Sequence, residues 1–351
     1  MPTADPWDEV VGQPRAVDQL RSSVASPVHS YLLVGPRGGG KRAAARAFAG
    51  DLLADGSEGE AAARHRHLAA IEAHPDLVVV ERNGASIDVK QARSIVERAS
   101  LSPSEGRRKV LVLDEFHLLD PRTAGILLKT VEEPPAGTFF LVLAEEITPD
   151  LVTIASRCLQ VSFSAVPAAA VEDRLVAEGI APEVAAEAAE FAHGDLRRAR
   201  LLATDGRLAL RRDAWRRVAH RLDGSGHRSA SLVDEIRAAI DDAQATIDAA
   251  QQSERSELDA QVERYGQRRT GVAELVSRHR REVRRFRTDE LLMGLAELAR
   301  GYRDELAVST QPAPLLAGLD AIQASAEALI RNPNEELLLQ SLFLRLPPMI
   351  R

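Results

Sequence analysis

Four short apolar runs stand out in the first half of the chain: Tyr31–Val34, Leu77–Val80, Val110–Leu113 and Phe139–Leu143. Each is rich in Val, Leu or Phe and is bounded by Gly, Pro or charge, the pattern of strands buried on both faces of a parallel sheet. Helix-like stretches lie between them. Lys41–Leu53, alanine-rich and free of proline, predicts a helix that starts directly after a run of glycines. After Val166-Pro167 the strand pattern stops, and Ala168–Glu178, Pro182–Ala192 and Gly194–Ala203 read as short helices. Asp223–Gly226 is a polar turn that marks a boundary. Residues 231–287 are highly charged, with apolar positions thinly spaced at Ile236, Ile240, Ile247, Leu258, Val262 and Tyr265. That spacing predicts long, largely solvated helices, or a hairpin broken near Gly266 or Gly271. From 288 to 347 the helix-period apolar residues are denser (Leu291, Leu295, Leu298, Leu315, Leu319, Ile322), as in a packed domain able to pair with other helices. The expected division is an α/β domain over 1–165, a small helical lid over 166–222, and an all-α region over 223–351. Within the last, a charged helical insert covers 228–287 and packed helices cover 288–351.

Composition narrows the class. A chain of 351 residues exceeds the ~250–300 residues at which single cores stop growing. No run approaches the ~20 apolar residues of a membrane span. Met1–Asp8 is acidic and lacks an apolar core, so no secretory signal is read and a cytoplasmic protein is expected. Cys158 is the only cysteine, which excludes an intramolecular disulfide and a thiolate-rich zinc cage. The net charge of −7 argues against a surface that tracks DNA as a whole. The basic residues are 41 arginines and four lysines beside abundant alanine, as a G+C-rich genome would encode, and this weakens arginine clusters as a sign of nucleic-acid binding.

Three elements carry candidate chemistry. Gly35–Arg42 reads Gly-Pro-Arg-Gly-Gly-Gly-Lys-Arg between an apolar run and a helix. It is a phosphate-binding loop, GxxxxGK[ST], with its last required residue replaced. Gly35, Gly38, Gly39 and Gly40 let backbone N–H groups curl round a phosphate, and Lys41 would reach the terminal phosphates. Arg42 stands where a hydroxyl should ligate Mg²⁺; it has five donors and no acceptor, and its charge opposes the ion. The loop therefore either holds ATP or ADP with impaired Mg²⁺ binding, or is a relic that binds no nucleotide. Second, Val110–Leu113 ends in Asp114-Glu115, placing two acids at the tip of a buried strand, where open α/β sheets keep their ligand crevice. In a working site Asp114 would orient hydrated Mg²⁺ and Glu115 would polarise the attacking water. Third, Thr153–Cys158 contains Ser156-Arg157-Cys158. By itself Arg157 reads as an ion-paired surface arginine, or as a rigid, always-charged fork offered to a neighbour's γ-phosphate in trans.

The ordered set is more specific than its parts. Val10-Val11-Gly12-Gln13, Gly35–Lys41, His74-Pro75-Asp76, Ile87-Asp88-Val89, Leu113-Asp114-Glu115, Leu127–Pro135 (Leu-Leu-Lys-Thr-Val-Glu-Glu-Pro-Pro) and Ser156-Arg157-Cys158 follow one another along residues ~7–205. The chain resembles the AAA+ clamp-loader subunits of bacterial DNA polymerase III. The segment around Arg278–Thr288 and Arg331-Asn332-Pro333-Asn334 resemble the actinobacterial form. The resemblance implies an AAA+ domain with lid and collar, joined in a heteropentameric ring with gamma/tau-type ATPase subunits and a delta subunit. Through the complex it implies action on the sliding clamp and primed DNA, with no membrane partner. Within that family the altered loop fits a rigid member that does not hydrolyse ATP by itself. Arg157 would then be its trans arginine finger, Asp114 and Glu115 a vestigial acid pair, and Val10, Val11 and Arg197 further nucleotide contacts. The enzyme alternative is an ATP-hydrolysing motor subunit or another AAA+ ATPase.

One departure concerns metal. The family commonly carries four cysteines of a zinc module ahead of His74-Pro75-Asp76, and none is present here. His65, His67 and His74 remain and are expected at the surface, with no zinc. The basic run Arg278-His279-Arg280-Arg281, Arg284, Arg285, Arg287 includes Phe286 as its one aromatic. It reads as a solvated face or a partner for the acidic stretch 234–263 ahead of a DNA contact, because single-strand binders interleave stacking platforms with charge.

Overall fold

The computed structural model describes residues 5–82, 86–192, 194–265 and 270–349. The chain divides into two compact units, Met1–Thr204 and Asp205–Arg351. The first begins with α1 (Pro14–Ser23), β1 (Ser30–Val34), α2 (Lys41–Leu53), α3 (Gly59–Ala70), β2 (Leu77–Val80), α4 (Val89–Ser100) and β3 (Lys109–Leu113). It continues with α5 (Ala124–Glu132), β4 (Thr138–Ala144), α6 (Val152–Ala155) and β5 (Leu159–Ser162), and ends in α7 (Ala168–Ala177), α8 (Pro182–Ala192) and α9 (Leu196–Thr204).

The strands form one sheet in the order β2-β3-β4-β1-β5, and every pairing is parallel. Successive residues of the central strands feed opposite cores. Tyr31, Leu33, Val110, Val112 and Leu141 pack with Phe48 and Leu52 of α2, while Leu32, Leu111, Leu113 and Phe140 pack with Ile95, Leu127 and Val131. Burial on both faces explains why these strands read as unbroken apolar runs. The sequence reading has no strand at Leu159–Ser162. β5 lies at the sheet edge with only Val161 buried, so its apolar signal is a single residue.

The second unit holds α10 (Leu208–Arg221), α11 (Gly226–Tyr265), α12 (Thr270–Leu306), α13 (Pro312–Ala328) and α14 (Glu335–Arg345). Its core gathers Trp215, Leu232, Ile236, Leu291, Leu295, Tyr302, Leu339 and Phe343. Gly294 lies under the Trp215 ring, where an added Cβ would come 1.9 Å from Cε2. Arg211 and Glu290 form a buried ion pair of 2.8 Å, joined by Asp205 at 2.6 Å. The lid expected over 166–222 includes α10, but Trp215 and Val218 bury this helix in the C-terminal core, and the compact division falls at Thr204/Asp205.

The expected long helices are α11 and α12; Gly271, one expected break position, lies within α12, and Gly266, the other, lies outside the described residues. Asp241 pairs with Arg287 at 2.5 Å, Glu254 with His279 at 2.8 Å, and Gln251 donates to Glu282 at 2.9 Å. Arg287 also pairs with Glu335 of α14 at 2.7 Å. The acidic stretch thus does partner part of the basic run; the side chains of Arg278 and Arg281 lie outside the described residues. No helix among the described residues is long and apolar enough to cross a membrane.

Candidate functional site

The glycine loop connects β1 to α2 at the carboxyl edge of the sheet. Gly35 lies so close to the next strand's exit that a Cβ would stand 2.1 Å from the Phe163 carbonyl oxygen. Gly40 caps α2 with φ +83°, a left-handed conformation that glycine adopts without steric cost. A Cβ there would contact Val10 Cγ1 at 3.8 Å, so the buried Val10 flanks the loop beside the half-buried Val11. Gln13 fastens this N-terminal strap: its amide donates to the Ser164 carbonyl at 2.6 Å and accepts from the Ser164 N–H at 3.1 Å.

Lys41 is buried and turned back on the loop. Its Nζ donates to the Gly35 carbonyl and, at 2.7 Å, to the Pro36 carbonyl. Burial lowers its pKa, partly countered by the charges of Glu145 and Asp114. The ammonium is thus spent on the carbonyls of the loop it would otherwise serve.

Arg42, at the start of α2, is surrounded by carboxylates. Its Nε and Nη2 donate to the two oxygens of Glu72 at 2.8 and 2.7 Å, a bidentate fork. Its Nη1 reaches Glu81 and, at 3.1 Å, Asp114. Burial alone would lower the guanidinium pKa; the Glu72 hydrogen bonds and the charges of Glu81, Glu72 and Asp114 hold it well above its ordinary value. Glu72 is pushed up by burial, but Arg42 pulls it below the usual carboxylate range. Asp114 therefore sits where expected, at the tip of β3, facing a fixed side-chain cation. The arrangement does not fit Mg²⁺: the position beside Asp114 holds a positive charge and offers no hydroxyl ligand.

Glu115 is likewise engaged. Its backbone is left-handed, with φ +52°, and its carboxylate accepts from the buried Arg82 Nε at 2.9 Å. Glu72, Glu81 and Arg82 are absent from the sequence reading. The last two were within reach of it, because β2 runs beside β3 with Val80 opposite Leu113. Extending that register sets Arg82 opposite Glu115, an ion pair, and Glu81 opposite Asp114, two acids that need a cation between them. Glu72 has no such signal; it follows α3 and comes back to the loop only in the fold.

Arg157 belongs to another surface. It follows α6, donates Nη1 to the Thr153 carbonyl at 2.9 Å and to Ser156 Oγ at 3.2 Å, and pairs through Nε with Glu132 at 2.9 Å. Arg157 is 33% exposed and Glu132, from the Leu127–Pro135 motif, 49%. Neighbouring Cys158 is turned into the core, and burial pushes its thiol up to about 12. Arg197 lies on α9, and its side chain is outside the described residues.

The histidines depart from expectation. His67 is exposed, but His65 and His74 are buried, with His65 Nδ1 2.7 Å from His74 Nε2. Glu105 lies close enough for the three to form a candidate ligand group, all within 4.8 Å of one another.

A parallel sheet in this order, a glycine loop entering a helix at its carboxyl edge, and paired acids on a nearby strand tip define an α/β P-loop fold of the AAA+ kind. The family described as DNA polymerase III, delta subunit, matches residues 12–167. The DNA polymerase III delta prime subunit of Bacillus subtilis is 30% identical over 197 residues, covering 52% of this chain and 60% of that protein. The delta prime subunit of Pseudomonas aeruginosa is 35% identical over 222 residues, covering 61% and 62%. Over its α/β domain, this chain is similar to the delta prime subunits of DNA polymerase III. The matches span about three fifths of those relatives' length. A gamma subunit-related protein of DNA polymerase III from Thermotoga maritima aligns over 93% of this chain and 97% of its own at 16% identity, with a TM-score of 0.49.

Proposed function

We propose that this chain is a non-hydrolysing subunit of the replicative clamp loader. In this reading it stands in a heteropentameric ring beside gamma/tau-type ATPase subunits and a delta subunit, and helps place the sliding clamp on primed DNA. Its C-terminal helices, residues 288–351, serve as the collar. The observation that carries the reading is Arg42, whose guanidinium lies against Asp114 where a catalytic P-loop protein needs a metal. The Glu115–Arg82 pair supports it, since a carboxylate held by a guanidinium is a poor base for water. Any ATP or ADP in the loop would rest on backbone N–H groups and a released Lys41, without Mg²⁺.

Arg157 is proposed to complete the ATP site of an adjacent subunit. Its support is placement: a guanidinium at the surface, preset by a backbone carbonyl and one half-exposed acid. A neighbour's γ-phosphate can displace such a partner at little cost. Two measurements test the proposal. The isolated chain should show no Mg²⁺-dependent ATP turnover; turnover abolished by Lys41→Ala would instead make it a motor ATPase. A ring reconstituted with Arg157→Ala should lose most of its ATPase and clamp loading, and unchanged rates would remove Arg157 from the role.

A further inference from the structure

The segment between α2 and β2 is where the resembling family places a zinc module, and the residues present here do not fit one. The only thiol, Cys158, lies in another part of the chain. His65, His74 and Glu105 come together, but the backbone fixes the protonation of His74. The Asp76 N–H donates to His74 Nδ1 at 3.0 Å, so in the neutral ring the proton sits on Nε2. That nitrogen faces His65 Nδ1 at 2.7 Å and donates to it. A metal on Nε2 would have to displace this proton and break the Asp76 contact, whereas zinc-bound histidines donate their second N–H outward. Glu105 is already held by Arg64 at 2.8 Å.

We infer that a direct imidazole–imidazole hydrogen bond, His74 to His65, replaces a metal as the link between α3 and the start of β2. The link sits on a prepared base. The buried Asp76 carboxylate accepts from the N–H groups of Ser104, Glu105 (2.9 Å) and Gly106 (3.1 Å), which fixes the turn beside the pair. The charged groups acting on His74 are His65 and Arg64 from α3, Glu105 from the turn and Asp76 from its own loop. Burial first, and His65 second, lower the His74 pKa against the opposing pull of Asp76 and Glu105. A group held neutral in this way contributes stability above the ordinary histidine range and loses it as pH falls through its folded value. The link is therefore indifferent to chelators and oxidants and sensitive to acid.

The test uses the full chain at pH 7.5 and 5.5, with EDTA or with one equivalent of Zn²⁺. Neither addition should move the melting temperature at pH 7.5. Amide exchange in α3, corrected for its intrinsic pH dependence, should be about fivefold faster at pH 5.5, the scale of one buried hydrogen bond. Nitrogen-15 spectra of the wild type should show His74 with an unprotonated Nδ1, a readout that needs no variant to fold. His65→Ala, which removes the hydrogen-bond partner, should reduce the pH effect, and His67→Ala should leave it. Stoichiometric metal in the purified chain would overturn the inference. So would a Zn²⁺ stabilisation lost in His65→Ala, a proton on His74 Nδ1, or α3 exchange indifferent to pH.

Discussion

Arg42 and Arg157 are the same side chain in two environments. Arg42 stands at the edge of a buried sheet, 24% exposed, and touches three carboxylates, one of them by a bidentate fork. Arg157 stands on a surface loop and touches one carboxylate that is itself half exposed. Charge pairs gain little in water, and one displaceable partner leaves a guanidinium free to change hands. Three partly desolvated acids hold theirs in place, because removing it would leave them facing one another. One arginine is therefore a fixed internal cation, and the other is a surface guanidinium held by a single exposed acid.

Removing Arg42 should break this contrast most severely. Arg42→Ala removes the guanidinium shared by Glu72, Glu81 and Asp114, and should cost about 3–5 kcal/mol in urea unfolding. Millimolar Mg²⁺ or Mn²⁺ should restore part of the loss, because the vacated cluster then offers oxygen ligands to a divalent ion. Arg42→Thr, which adds the missing hydroxyl, should bind Mn²⁺ measurably by electron paramagnetic resonance where the wild type does not. Equal stability of wild type and both variants would show that Arg42 carries no structural charge. Arg82→Ala should cost less, about 1–2 kcal/mol, because its partner Glu115 is 34% exposed and can recover water. It should not create Mg²⁺-dependent ATP turnover, since Arg42 still lies against Asp114.

The same contrast shows what could be read from the sequence. The loop, the acid pair at β3 and Ser156-Arg157-Cys158 are contiguous in the chain, so their residues announce themselves. Four strands were legible because burial on both faces makes an unbroken apolar run; β5, with Val161 alone buried, was not. Arg42 could be recognised as a wrong residue for Mg²⁺, but not as one saturated by Glu72 and Glu81, which arrive through the fold from 30 and 39 positions away. His65 and His74 looked like surface residues because their burial depends on the fold bringing His65 of α3 against His74, nine residues on. The lid boundary was misjudged for a similar reason: α10 follows the lid in sequence, but its Trp215 serves the other core.

Acid should weaken the Arg42 cluster. The Glu72 carboxyl, raised by burial but lowered further by Arg42, ends below the usual carboxylate range. A group depressed in this way contributes its full stability above the ordinary carboxylate range, and the contribution disappears as pH falls through the folded value. Thermal unfolding between pH 6 and pH 3 should therefore show a steeper loss in the wild type than in Glu72→Gln. Parallel curves would remove Glu72 from the cluster's energetics.

The smallest effect on stability belongs to Arg157, and there the two arginines separate most clearly. Its pair with Glu132 is exposed, so Arg157→Ala should change unfolding by no more than ~0.5 kcal/mol. In an assembled ring the same substitution should lower the neighbour's ATP turnover by about 10³-fold or more, the scale of a lost trans arginine. Arg157→Lys keeps the charge but not the planar fork, and should recover little of that activity. Glu132→Gln sharpens the point from the other side: it weakens the resting partner, so turnover in the ring should hold steady or rise slightly while stability barely moves. A fall in turnover for Glu132→Gln as large as for Arg157→Ala would mean that the pair works as a unit, and Arg157 would no longer be a donor waiting for an incoming phosphate.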